Sequence, residues 1–343
     1  ADQIDSTPPA PAGEYFEYYD AHSSVPFLEQ TIDLSVSQAE LTDAAVKETD
    51  HLGKSSVCLT GGAITWKISL PQRARFVVKI TYVGEEENYT DSAVSLSLDG
   101  NVPFEGAGSV PLTRLWKDST EIRQDSMGND SIPEQAQVMQ WNTVALQDYS
   151  IFTANPLYFY LEAGEHTVTL RSWSKEPLHI AGIQLTSPEE IPTDAEALAA
   201  YQAAGYTKVD GYFRKIQAET PHMKSTQSIY PTYDRSSPAT EPYDAYNIRR
   251  NTIGDGNWSD PGTWVSYVIE NVPADGLYYI TLKYRQHQMI GTSTFRTILV
   301  NGSVPSEAYQ NVAFPYNINW KNQTVSGYRK TYFLGIDGAV PFL

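Results

Sequence analysis

Between residues 229 and 264 the chain gathers Tyr230, Tyr233, Tyr243, Tyr246, Trp258 and Trp264, together with Asp234, Arg235, Asn247, Arg249, Arg250 and Asn257. Aromatic rings offer flat apolar faces, while guanidinium, amide and carboxylate groups offer directed hydrogen bonds. The combination suits a ligand that carries both C–H faces and hydroxyls. Trp264 stands in the strand-like TWVSYVI and is expected inside the protein, whereas Trp258, in the turn-rich GDGNWSDPG, is expected to be accessible. A Tyr-rich loop of this kind can equally be a belt over a domain or an interface with a neighbour. The prolines and the Ser/Thr cluster of YDRSSPATEPYD would extend the loop under any of these readings.

Other chemistry is sparse. Asp255, Asn257 and Asp260 have loose calcium-loop spacing but lack the following Gly and distal Glu of an EF-hand, so a turn is expected there. Asp125 and Asp130, in WKDSTEIRQDSMGNDSIPEQ, are expected on a solvated loop. The six His never fall at H-E-x-x-H spacing, and no G-x-S-x-G elbow, P-loop or dinucleotide fingerprint occurs. No two carboxylates are singled out as the facing pair that glycoside hydrolysis needs. The single cysteine, Cys58, excludes an internal disulfide and in SVCLT has the setting of a small buried hydrophobe. A non-enzymatic protein without cofactor is expected. With 24 Lys plus Arg against 41 Asp plus Glu, nucleic acid is excluded as a partner by repulsion. No apolar run reaches the length of a membrane helix.

The elements that would position these residues are strands. A length of 343 residues favours two domains, and the chain repeats itself. At a constant offset of 202, Val78, Ile80 and Tyr82 fall on Ile280, Leu282 and Tyr284. Leu96, Leu98, Gly100, Val102, Pro103 and Glu105 likewise fall on Ile298, Val300, Gly302, Val304, Pro305 and Glu307. SQAE, ending at Glu40, matches IQAE, ending at Glu219, and from there to the shared core the second copy is about 23 residues longer. AITWKISL, FVVKITYV, AVSLSL, LYYITLKY and FRTILV alternate apolar and polar residues, the period of half-buried antiparallel strands. Asp99-Gly100 and Asn301-Gly302 mark tight turns. The expected fold is all-β, two jelly-roll β-sandwich domains at 31–187 and 211–343. They are joined by a linker at 188–210 whose helix opens with Thr193 and Glu196 at capping-box spacing. Residues 1–30, Pro-rich and lacking Met, a basic n-region or a lipid-attachment Cys, are expected to be a tether left after removal of a signal or anchor.

Residues 216 to 286, IQAETPHM through LYYITLKYRQ, resemble the galactose-binding-like sandwich domains of large extracellular solute-binding proteins of bacterial sugar ABC transporters. The first copy is similar to the same superfamily, and its hairpin YLEAGEHTVTLRSW resembles late strands of carbohydrate-binding modules. The resemblance implies an extracellular, cell-surface tethered and non-catalytic region that grips an oligo- or polysaccharide. An attached solute-binding domain beyond Leu343 and, indirectly, the transporter permease would be its partners. Accessory modules of a secreted glycoside hydrolase, and structural spacers that dock a partner without binding sugar, are the alternatives. For sugar contact the expected residues are Trp258, Tyr233, Tyr243, Tyr246, Asp234, Arg235 and Asn257. In such modules an early-strand Glu often helps hold a structural calcium, which points to Glu40 and Glu219. The last strand of the first copy, HIAGIQL, lacks the acid that usually completes that site. The second copy reaches AVPFL without an equivalent of residues 162 to 185, so its sandwich is expected to lack its last strands.

Overall fold

A computed structural model describes residues 11–42, 45–85, 91–151, 155–288, 290–325 and 340–342. It divides into two compact units, one of Ala1–Leu115 with Gln137–Glu189 and one of Trp116–Ala136 with Glu190–Leu343. The class is all-β, with two α-helices among the described residues.

The first unit is a sandwich of two antiparallel sheets. One runs Asn142–Ala145, Ala74–Gly84, Leu178–Thr186, Lys54–Leu59 and Ala45–His51. Ile32–Ser35 joins it beside Leu178–Thr186, and Tyr158–Leu161 joins it beside Ala74–Gly84. The other runs Glu40–Leu41, Ala63–Leu70, Gly164–Ser172, Ser92–Leu98 and Val110–Leu112. Alternation decides which face is dry: in Ala63–Leu70 the side chains of Ile64, Trp66, Ile68 and Leu70 are buried, while Lys67 and Ser69 face water. Trp66 remains hydrogen-bonded inside, its indole N–H donating to the Ser35 carbonyl at 2.9 Å. Gly182 interrupts the register of Leu178–Thr186 where the Leu34 carbonyl comes too near to leave room for a Cβ.

Two expectations are corrected here. YLEAGEHTVTLRSW is not a hairpin, because Tyr158–Leu161 pairs with Ala74–Gly84 in one sheet and Gly164–Ser172 pairs with Ala63–Leu70 in the other. The intervening turn carries the chain across the core. Nor is the described part of the 1–30 segment a tether. Tyr15–His22 is a helix whose Tyr15 is buried, and the hydroxyls of Tyr15 and Tyr18 accept from the backbone N–H groups of Tyr158 and Tyr160 at 3.2 and 2.8 Å. Those N–H groups belong to an edge strand and would otherwise lack partners. Residues 1–10 lie outside the described residues.

The second unit repeats part of this plan at the offset of 202. Ser92 and Val94 pair with Leu112 and Val110, just as Thr294 and Arg296 pair with Phe314 and Val312. Core positions follow suit: Phe76, Leu96, Leu98, Val110 and Leu112 correspond to Tyr278, Ile298, Val300, Val312 and Phe314, all buried. The turns match as well, with Asp99 and Gly100 at φ 49° and 77° and Asn301 and Gly302 at 54° and 84°. Thr281–Gln286, the counterpart of Ala74–Gly84, pairs with Asn317–Thr324. Among the described residues nothing occupies the places that Gly164–Ser172 and Leu178–Thr186 fill in the first unit. The helix expected between the copies spans Asp194–Ala203 and carries the full Thr193/Glu196 capping box. It is packed into the second unit, where the Asp194 carboxylate accepts from the Ser306 hydroxyl at 2.5 Å.

Leu96 is fully buried between the sheets, and Leu96→Ala is expected to cost about 2–5 kcal/mol in urea unfolding. Val46→Ala, on the outer face, is expected to change stability by less than about 0.5 kcal/mol in the same measurement.

Candidate functional site

The aromatic segment of the second unit is closed at its base by a short antiparallel pair, Pro231–Thr232 with Thr252–Ile253, whose threonine hydroxyls meet at 2.7 Å. Inside the loop lies Asn251. Its amide oxygen accepts from the Asp234 N–H at 2.8 Å, and its nitrogen donates to the carbonyls of Asp234 and Pro242 and to the Thr240 hydroxyl. The Asp234 carboxylate accepts from the Ser236 N–H at 2.7 Å, the Trp320 indole at 2.6 Å and the Arg285 guanidinium at 2.8 Å. Burial pushes this carboxyl up, but the donors from Ser236 and Trp320 and the charge of Arg285 outweigh it and hold it below the ordinary range. Asp234, expected among the contact residues, is therefore a buried fastener of the loop.

A second fastening comes from residues 116–136. Asp130, expected on a solvated loop, is instead buried. Its carboxylate accepts from the Arg249 guanidinium at 3.1 Å and the Arg250 N–H at 2.9 Å, while its own N–H donates to the Ile248 carbonyl. Arg249 also donates to the Gly128 carbonyl and to Asp244. Asp244 accepts from the N–H groups of Asn247 and Tyr246, and these bonds, with Arg249, bring its pKa down to about 2. At the base of the same segment, Lys224 is fully buried and donates to Asp118 and Gln135. Neither the burial of Asp130 nor that of Lys224 is signalled by local spacing, because their partners lie roughly a hundred residues away.

What this framework holds out to solvent is Tyr233, Tyr243 and Tyr246, exposed by 45%, 42% and 89%. Arg235 joins two of them: its guanidinium lies 5.7 Å from the Tyr233 ring centre and donates to the Tyr246 carbonyl at 3.2 Å. Arg250 lies at the same distance from the Tyr233 ring. Trp258 is half-buried, its ring covered by the Arg296 guanidinium at 4.9 Å and its indole N–H tied to the Thr263 carbonyl. Asn257 donates to the Tyr230 carbonyl at 3.2 Å. Asp255 opens a single 3-10 turn and accepts from Gln288. Trp264, expected inside a sandwich, is only half-buried, because the strand begins one residue later at Val265.

The two glutamates expected at a calcium site stand apart from other such ligands. Glu40 is exposed and paired with Lys67 at 2.6 Å. Glu219 is buried, and burial pushes its carboxyl up to about 7 against the weaker pull of its own backbone N–H and of Lys215. Among the described residues neither belongs to a group of His, Cys, Asp or Glu side chains close enough to share a metal.

No family model matches the chain, and no curated protein matches it. Solved structures similar to it include a family 35 carbohydrate binding module from Clostridium thermocellum, at 14% identity and TM-score 0.32 over 46% of this chain and 98% of that one. The family 35 module of Abf62 from Cellvibrio japonicus is similar at 17% identity and TM-score 0.31, over 47% and 95%. The C-terminal family 6 module of LamC from Zobellia galactanivorans is similar at 14% identity and TM-score 0.28, over 46% and 100%. The fold assignment itself rests on the strand pairing described above.

The raised carboxyl of Glu219 gives stability a pH dependence. Below its ordinary value of 4.5 both folded and unfolded chains hold the proton; between there and about 7 only the folded chain does, so stability falls as pH rises through that window. This component is expected to be on the order of 3 kcal/mol by pH 8, and Glu219→Gln to remove it, read as the difference between wild type and variant in the change of denaturation midpoint from pH 4 to 8. Asp234→Ala leaves the Trp320 indole without its acceptor and Arg285 with the Ser236 hydroxyl in place of a carboxylate, and is expected to destabilise by about 2–4 kcal/mol, with faster proteolysis between 233 and 251.

Proposed function

We propose that this chain is a non-catalytic carbohydrate-binding region, in which Tyr233, Tyr243, Tyr246 and Arg235 of the second unit contact an oligo- or polysaccharide. One observation carries the reading: three tyrosines stand in solvent on a loop whose interior is fastened by buried hydrogen bonds and ion pairs. A sugar ring presents a C–H face that packs on an aromatic ring and hydroxyls that accept from a guanidinium. A loop already ordered loses little further freedom when ligand arrives. Asp234 and Asn257 act on this surface by positioning, and Trp258 contributes the ring area that Arg296 leaves open.

The finer setting we propose follows the resemblance of residues 216 to 286: the extracellular, cell-surface part of a sugar ABC transporter's solute-binding protein, which presents glycans to an attached solute-binding domain. The full gene that encodes this stretch tests this. Alternating α/β segments support the transporter, whereas a barrel with facing carboxylates makes these units accessory modules of a glycoside hydrolase.

Binding itself is tested by glycan array followed by calorimetry on the best ligand. The wild-type chain is expected to bind in the millimolar to micromolar range, and Tyr233→Ala and Tyr246→Ala each to weaken binding by about tenfold, or about 1.4 kcal/mol. Absence of any bound glycan, with Tyr246→Ala instead reducing association with a protein partner, would replace this reading with that of a docking spacer.

A further inference from the structure

Three neighbouring strands of the first unit bring Glu48, Cys58 and His179 together on the outward face of the seven-stranded sheet. His179 lies opposite Cys58 in register, and Cys58 lies opposite Val46, two residues before Glu48 on the same face. One ligand atom from each of the three residues lies within 4.8 Å of the other two. His179 is buried, with Nδ1 at 2.8 Å from Glu48 Oε2 and Nε2 at 3.0 Å from Glu85 Oε2. A neutral imidazole carries a single N–H, so one of these contacts sets a ring lone pair against a carboxylate oxygen, a repulsion that a cation bonded to both atoms would relieve. The Ser56 hydroxyl donates to Glu48 Oε2 at 2.9 Å and aims it. The His51 ring stacks on His179 at 3.7 Å and 12°, and its Nε2 is buried without a hydrogen-bond partner among the described residues.

We propose that Glu48, Cys58 and His179 form a binding site for a zinc-like divalent cation. The cation would lie on the Nδ1 side of His179, and Glu85 would accept from the Nε2–H on the other. One nitrogen, one sulfur and one carboxylate oxygen suit zinc, whereas calcium takes oxygen ligands alone. A carboxylate behind the ligating imidazole fixes its tautomer and raises its basicity, which is the place Glu85 holds. Cys58 gives its thiol proton to solvent on binding and coordinates as thiolate. A water completes the fourth position.

Zinc titrated into chelator-stripped protein is expected to bind at one ion per chain by calorimetry and to shield Cys58, the only thiol, from maleimide. Cobalt in its place is expected to give a thiolate-to-metal absorption band. Cys58→Ser is expected to abolish that band and weaken zinc binding by tenfold or more, and His179→Gln to weaken it similarly. If His179→Gln does not fold, Cys58→Ser decides alone, since Cys58 is only half-buried and its thiol makes no hydrogen bond among the described residues. No stoichiometric zinc uptake, or equal affinity in Cys58→Ser, would overturn the proposal.

Discussion

Trp66, Phe76, Val78, Leu96, Leu98 and Phe159 interdigitate between two antiparallel sheets and exclude water from the centre of the first unit, and every outward-facing group there is placed by that contact. Because strand side chains alternate, burying one set fixes the other. The same pairing that buries Val57 turns Cys58 outward beside His179. Burial of each large side chain contributes about 1.5–3 kcal/mol, enough that a register slip by one residue is excluded wherever both faces differ this much in polarity.

The second unit uses the same apolar positions but has fewer strands among its described residues, and its strand Thr281–Gln286 is correspondingly less buried than Ala74–Gly84. Its aromatic loop has almost no ladder to order it. Buried polar groups take that role, with Asn251 satisfied on both its amide oxygen and nitrogen and Asp130 receiving a guanidinium and a backbone N–H. Buried charge costs desolvation and contributes net order only when its remaining hydrogen bonds are filled, as they are around Asp234 and Asp130. The exposed rings of Tyr233, Tyr243 and Tyr246 are the outcome of this arrangement, since the interior of the loop is occupied by polar side chains.

Much of the sandwich was legible beforehand. AITWKISL and FVVKITYV displayed their buried faces through a period of two, Asp99-Gly100 and Asn301-Gly302 their turns, and Thr193 with Glu196 the start of a helix. The crossing of YLEAGEHTVTLRSW between sheets was not legible, because two strands joined by a short turn look alike whether they pair with each other or with strands on opposite sides of a core. In the aromatic loop, residue type revealed neither the burial of Asp234 nor the cover that Arg296 lays over Trp258.

By itself, then, the sequence determined the class of fold, the duplication and the places where the chain turns, since each depends on neighbours two to four positions away or on a pattern repeated along the chain. Tertiary structure alone decided which polar residues are buried together. Arg249 meets Asp130 across 119 positions and His179 meets Glu48 across 131, and no local spacing encodes either meeting. His179 and Glu48 become neighbours only when the strands that carry them lie side by side in one sheet, and Arg249 and Asp130 only when two loops pack together.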